Sequence, residues 1–348
     1  MNQVRIGIVG CGSINTRSHI PDLLTGSTGK ITAFCDTVVA RAEALAKQHG
    51  GKAYQEFEAL LRDPEVDAVV LGVPNALHAP MTIAALRAGK HVMVEKPMAL
   101  TRDEAKAMIA TAKETGKKLM VGQSQRYMPP HRKAQEILKS GRLGKVLTFR
   151  SSFLHGGPES WSIDNSPETW FFKKSLAGMG VCGDLAIHKA DIMRVLLGEE
   201  ITEVSATIET RHKTYSNGKL IDVDDNAQLL VKTQSGITGV IIVSWTGYGD
   251  SEGNSTILHC EKGALMLAAD PVYGVIVRYR NGEEEKFKVG AISTNTHRVR
   301  GQVMDKFTDA ILNNREPDIT GEDAYRSLNV ILTAFEAAAA KRVLPVPI

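Results

Sequence analysis

Long hydrophobic runs are absent from this 348-residue sequence: no apolar stretch approaches the roughly 20 residues a membrane-spanning helix needs. The first residues lead straight into an apolar segment, Val4 to Val9, with no charged leader and no small-residue cleavage site, so the sequence predicts a cytoplasmic protein. Cysteine is scarce. Cys11, Cys35, Cys182 and Cys260 are far apart and form no metal-type pair, which excludes a disulfide scaffold and a cysteine zinc motif and predicts reduced thiols used for packing. An excess of one charge is also missing: 42 Lys and Arg are interspersed with 39 Asp and Glu, for a net charge of +3. No basic run and no basic patch interleaved with aromatics points to nucleic acid. Neither an internal repeat nor a low-complexity segment is present. What remains is an ordinary globular composition, 43% hydrophobic and 23% charged, in a chain long enough for two domains.

The first half alternates strand and helix signals. Val4 to Val9 reads as a buried parallel strand. Gly10-Cys11-Gly12-Ser13-Ile14-Asn15 follows, with a helix over roughly Ser13 to Leu24. This is a dinucleotide fingerprint with two of its glycines in place: Gly10 permits the tight turn and Gly12 lets the backbone approach a pyrophosphate. Asn15 holds the third position, which predicts looser packing of helix on strand. A second strand, Ile31 to Cys35, ends in Asp36, where an acid would bind the adenosine ribose hydroxyls. Asp36 repels a 2′-phosphate and Thr37 offers no cation, which favours NAD, with Arg41 keeping NADP possible. Helices are expected at Val38 to His49, Phe57 to Leu61, Leu77 to Ala88 and Asp103 to Thr115, the last capped by Thr101. Strands are expected at Asp67 to Val73, His91 to Val94 and Lys118 to Val121. The pattern predicts a doubly wound parallel sheet of Rossmann type over residues 1–125. Glu95-Lys96-Pro97 emerges at the carboxyl end of the His91 to Val94 strand, the end at which such sheets bind ligands.

After Gly122 the pattern changes to longer strands joined by short turns such as Gln234-Ser235-Gly236 and Asn281-Gly282. Strands are expected at Val146 to Leu154, Glu203 to Thr210, Ala227 to Thr233, Ile237 to Trp245, Ser255 to His259, Ala264 to Ala268 and Gly274 to Arg280. Helices are expected over His131 to Ser140, Gly183 to Leu197, Val299 to Asn313 and Gly321 to Lys341. Residues 126–348 therefore read as an α+β domain with a large, mostly antiparallel open sheet, and the fold class as α/β. Such a sheet must cover its second face, and a second copy of the chain, in a homodimer or homotetramer, is the expected cover.

Chemistry concentrates at Gly178-Met179-Gly180-Val181-Cys182-Gly183-Asp184 and His188-Lys189-Ala190-Asp191. Asp184 and His188 are four apart on the expected helix and share one face, so the carboxylate is placed to orient the imidazole. The same spacing suits a surface charge pair or two metal ligands, and Asp191, one turn on, is an alternative partner for His188. No further Cys or His completes a metal set, so no metal is expected.

These residues reach a known family. The whole chain resembles the Gfo/Idh/MocA oxidoreductases, most densely at Val73-Pro74-Asn75-Ala76-Leu77-His78, Ala88-Gly89-Lys90-His91-Val92, Glu95-Lys96-Pro97, Gly183-Asp184 with His188-Lys189-Ala190-Asp191, and Asp224-Asp225-Asn226 with Ser244-Trp245. The resemblance implies hydride transfer between a nicotinamide and a secondary alcohol carbon of a sugar or cyclitol. It assigns Lys96 to the reacting hydroxyl, His188 to its proton and Asp184 beside them, across an interdomain cleft. Around the cofactor it places Gly10, Gly12, Ser13, Ile14, Asp36, Thr37, Val73, Pro74, Asn75, His78, Glu95, Lys96, Gln123 and Arg126. Tyr127, His155, Trp161, Trp170 and His297, with Arg126 again, become candidates for the substrate wall. Departures from the family pattern are Asn15, Thr37 in place of a frequent Arg, Ser124 in place of a frequent Asn, and Gly178-Met179-Gly180 in place of three glycines.

The resulting expectation is an NAD-dependent sugar or polyol dehydrogenase. Two alternatives stand beside it. One is a redox-neutral sugar-processing enzyme with tightly bound NAD, acting by transient oxidation and elimination or on a nucleotide-linked sugar. The other is a dinucleotide-binding regulator without turnover, against which the Lys96, Asp184 and His188 set argues.

Overall fold

The computed structural model describes residues 3–249, 253–292 and 302–348, and the chain divides into two compact units. The first comprises Met1–Gln123 with Arg300–Tyr325, and the second Ser124–Val299 with Arg326–Ile348.

In the first unit six strands, β1 (Val4–Val9), β2 (Gly29–Cys35), β3 (Lys52–Tyr54), β4 (Ala68–Leu71), β5 (His91–Val94) and β6 (Leu119–Val121), form one sheet in the order β3-β2-β1-β4-β5-β6. Every pairing is parallel. The central strands are apolar on both faces, as a sheet covered on both sides requires, and β4 is buried throughout. The helix Arg102–Thr115 starts at the expected cap: Thr101 accepts from the Glu104 N–H while the Glu104 carboxylate accepts from the Thr101 N–H.

The sequence reading ended this unit near residue 125 and placed everything after it in the second domain. The chain instead returns. The helix Val303–Leu312 packs beside Ile20–Thr25, with the Met304 N–H donating to Asp22 at 3.0 Å and the Thr28 and Thr308 hydroxyls 2.7 Å apart. Val121 N–H donates to Ile319 O and Thr320 bridges to Met120, so the returning segment pairs along the outer edge of β6. The division then falls inside the helix Gly321–Ala340.

In the second unit nine strands are ordered β14-β13-β12-β11-β7-β10-β9-β8-β15. They are β7 (Val146–Leu154), β8 (Ile201–Glu209), β9 (Asn226–Thr233), β10 (Thr238–Ser244), β11 (Thr256–Cys260), β12 (Gly263–Leu267), β13 (Val275–Tyr279), β14 (Glu284–Phe287) and β15 (Leu344–Pro345). Only β7 and β10 pair in parallel; the other pairs are antiparallel. The inner face, with Phe149, Phe153, Leu229, Ile241, Val243, Leu258 and Leu265, is buried. The helices Pro129–Lys139 and Ile187–Leu197 lie on this unit's core side and are joined by Gln135, whose amide donates to Val195 O. On the outer face Leu230, Val240, Arg150, Ile257 and Met266 stand opposite one another across five strands, and Leu230 is 54% exposed.

Candidate active site

The dinucleotide end of the first unit is built as the glycines require. Gly10 has φ +83°, and a Cβ there would lie 2.4 Å from Gly72 O. A Cβ at Gly12 would meet no described atom within 4 Å, so this is the open point of the loop, suited to close approach by a pyrophosphate. Asp36 closes the tip of β2: its carboxylate accepts from the N–H groups of Cys11 and Val38, both at 2.8 Å. Each oxygen keeps lone pairs for ribose hydroxyls. Thr37 is exposed, and Ser13 and Ile14 are half-buried.

Two expectations change here. Asn15 does not hold the helix away from the strand. It is fully buried, donates to Val9 O at 3.1 Å and Gly10 O at 2.6 Å, and finds its space above Gly72, where a Cβ would sit 2.6 Å from its amide nitrogen. The expected single helix is split into a π-helical turn, Asn15–His19, and the helix Ile20–Thr25. Pro21 lacks the N–H that would bond back to Arg17, and the Ile20 N–H reaches Asn15 O, five residues back.

That wider turn aims His19, which the sequence reading did not single out. Its Nε2 lies 2.8 Å from Glu95 Oε1, and both side chains are buried. Glu95 thus contacts His19 and the Lys96 N–H (3.2 Å), with Gly122 leaving it room. His78 is likewise interior. Its ring nitrogens sit 2.7 Å from Pro97 O and 2.9 Å from Val73 O, it is 1% exposed, and burial pushes its pKa down against those two contacts. It ties the Pro97 turn to the end of β4. Asn75 and Gln123 are also buried, while Val73 and Pro74 are half-buried. From Val92 to Ala99 every residue is buried except Lys96.

The second unit repeats this feature. From Val181 to Arg194 every residue is buried except His188. Asp184 lies in a second π-helical turn, Cys182–Ala186, ahead of the helix Ile187–Leu197, so its offset from His188 is not that of a regular α-helix. Its carboxylate accepts from the Trp245 indole N–H at 3.0 Å and lies 3.5 Å from His155 Nε2. Asp224 shapes the turn: its oxygens accept from the N–H groups of Gly180 and Cys182 at 2.7 Å each. Burial pushes its pKa up against those two bonds. A Cβ on Gly180 would lie 1.9 Å from Asp224 O, which explains a glycine there.

Asp191 is not a partner waiting for His188. It holds Arg126 in a bidentate pair, 2.7 and 2.5 Å, and accepts from Ser327 at 2.9 Å. Arg126 thus commits its Nε and Nη2 to Asp191. Tyr127 is buried, with the Arg132 guanidinium 5.6 Å from its ring centroid. His155, Trp161 and Trp170 are half-buried, with the His155 ring 6.0 Å from that of Trp161 and Trp170 stacked on Phe171. His297 lies outside the described residues. The sequence reading also missed the structural parts played by Trp245, Asp224 and Phe153, the last with its ring 6.4 Å from His188.

The profile described as an oxidoreductase family with an NAD-binding Rossmann fold matches residues 4–123, and the GFO/IDH/MocA C-terminal domain matches residues 131–266. The chain belongs to the Gfo/Idh/MocA oxidoreductase family. It is an NAD-binding oxidoreductase. Among relatives, it is 29% identical to a 1,5-anhydro-D-fructose reductase of Ensifer adhaerens, over 96% of each chain. It is 30% identical to inositol 2-dehydrogenase 2 of Saccharopolyspora erythraea, over 71% of this chain and 68% of that one. The crystal structure of an aldose-aldose oxidoreductase from Caulobacter crescentus, complexed with glycerol, superposes with a TM-score of 0.84 at 27% identity, covering 99% of both chains. No described helix is long and apolar enough to cross a membrane.

Proposed function

We propose that the protein transfers a hydride reversibly between NAD and a secondary alcohol carbon of a sugar or cyclitol, with Lys96 and His188 acting on one hydroxyl. The observation that carries this reading is that each unit holds a buried run presenting a single half-buried basic residue, Lys96 in the first and His188 in the second. Printed names of relatives, an anhydrofructose reductase and an inositol dehydrogenase, support the substrate class.

Gly10, Gly12, Ser13, Ile14 and Asp36 hold the dinucleotide, which when bound supplies the hydride acceptor. Asp36 favours NAD, since its carboxylate is a hydroxyl acceptor and repels a phosphate. The Lys96 ammonium steadies the oxygen as it becomes alkoxide-like. His188 takes the hydroxyl proton, a task suited to an imidazole, whose unperturbed pKa is about 6.5. Asp184, fixed by Trp245 and His155, keeps negative charge beside the site and favours the imidazolium that forms. In the reductive direction His188 returns the proton.

The test is the growth of reduced-nicotinamide absorbance when the protein and NAD meet a panel of cyclitols and aldoses. Lys96→Ala is expected to lower kcat/KM by about two orders of magnitude or more, the scale of a positioned acid–base group. Full activity in that variant sinks the assignment.

A further inference from the structure

All three tryptophans of the chain, Trp161, Trp170 and Trp245, lie in the second unit, and Trp245 bonds to Asp184. Trp245 serves the carboxylate. The other two continue a line of rings that starts at the base. His188 is next to Phe153, Phe153 is edge-on to His155 at 5.9 Å, and His155 is edge-on to Trp161 at 6.0 Å. Trp161 meets Phe171 at 5.0 Å, and Trp170 stacks on Phe171 at 3.9 Å. Trp161, Trp170 and Phe171 are each half-exposed, and Ile163 between them in sequence is 43% exposed.

Half-exposed rings on a loop are usually free to fold down. These are held. Lys213, itself buried, ties the loop from beneath: its ammonium donates to Gly156 O, Glu159 and the Tyr248 hydroxyl. Its own backbone is fixed by Asp225, which accepts from the N–H groups of Arg211, His212 and Lys213 at 2.7–2.8 Å. A buried cation anchoring a surface loop keeps an apolar shelf in place before anything binds, which lowers the ordering cost of binding. Contiguous apolar surface rimmed by polar groups marks a binding site. Flat rings suit sugars because they pack on C–H faces and leave the hydroxyls to polar partners. Trp161 and Phe171 lie three and four ring contacts along the line from His188.

We infer that the substrate is a glycoside, with one ring carrying the reacting alcohol at His188 and a second ring resting on Trp161 and Phe171. This rests on the proposed role of His188 and adds the second ring.

The full-length protein with NAD is assayed on glucose, galactose and mannose and on their p-nitrophenyl glycosides. Expected is a kcat/KM for the best glycoside at least about tenfold above that for its free sugar, the scale of a buried aromatic contact. Trp161→Leu is expected to lower that ratio by about tenfold, mainly through KM, and Trp161→Phe to keep most of it. If Trp161→Leu does not fold, judged by its melting curve, Phe171→Leu takes its place. Equal or better turnover of the free sugars, or a ratio that neither truncation moves, overturns the inference while leaving the dehydrogenase reading intact. If no sugar reduces NAD, that reading fails. Calorimetric titration of the NADH-loaded protein then decides the shelf, and glycosides that bind no tighter than free sugars overturn it as well.

Discussion

Lys189 follows the proposed base in sequence and is fully buried. Burial pushes its pKa down to about 7. Among the described residues its ammonium has only long contacts, 3.4 Å to Ser255 O and to the Thr256 hydroxyl, with the Phe153 ring 5.8 Å away. His131 faces it from the helix Pro129–Lys139 and is pushed down to about 3 by burial and then by the Lys189 charge. The sign of the consequence is fixed. An unfolded lysine holds its proton to about pH 10.4, whereas the folded one releases it near 7, so across that window the unfolded state binds more protons and stability rises with pH. The slope reaches at most about 1.4 kcal/mol per pH unit. Lys189→Met keeps the volume and removes the charge. Urea denaturation at pH 6, 8 and 9 is expected to show a flatter pH dependence than the parent and a gain in stability at pH 6. Parallel pH profiles for the two proteins would contradict this account of the residue.

At the scale of elements, both candidate centres are reached through π-helical turns, Asn15–His19 and Cys182–Ala186. The first turn is set by its own Asn15 and by Pro21 after it, the second by Asp224 and Gly180 outside it. Gly180→Ala places a methyl group against Asp224 O and is expected to destabilise the protein by about 2–4 kcal/mol, since backbone has to move there. Denaturant unfolding measures it, and a change below about 0.5 kcal/mol would show that the turn yields freely.

These turns also mark where sequence reading stops. Strand β5 and the helix Phe57–Leu61 occur at the limits predicted, because a buried apolar run and a Pro-bounded amphipathic turn are local signals. Strand β3 was missed: its three residues sit at the sheet edge and bury little. Strand β14 was missed because Glu284-Glu285-Lys286-Phe287 shows no apolar alternation and is a strand only by pairing with β13. A π turn differs from an α turn by less than one residue, too little for periodicity to resolve. Lys96 and His188 were legible because their neighbours are motifs. Their supports were not, since His19 is 76 residues from Glu95 and Trp245 is 61 from Asp184.

At the scale of the molecule, the chain threads out of its first unit and back, so the segment Arg300–Tyr325 belongs with the nucleotide sheet despite its place in sequence. The outer row Leu230, Val240, Ile257 and Met266 supports a proposal that copies of the chain meet through this sheet, which sedimentation of the purified protein tests; a monomer at micromolar concentration would refute it. The central proposal is narrower: Lys96 and His188 act on the same hydroxyl. Residues that act as a unit are strongly non-additive in catalysis. The decisive measurement is therefore kcat/KM for Lys96→Ala, His188→Ala and the double variant on the best substrate. Each single change is expected to cost about two orders of magnitude, and the double change little more than the worse single. Losses that multiply to about four orders would mean that the two side chains act independently, and would contradict the shared hydroxyl.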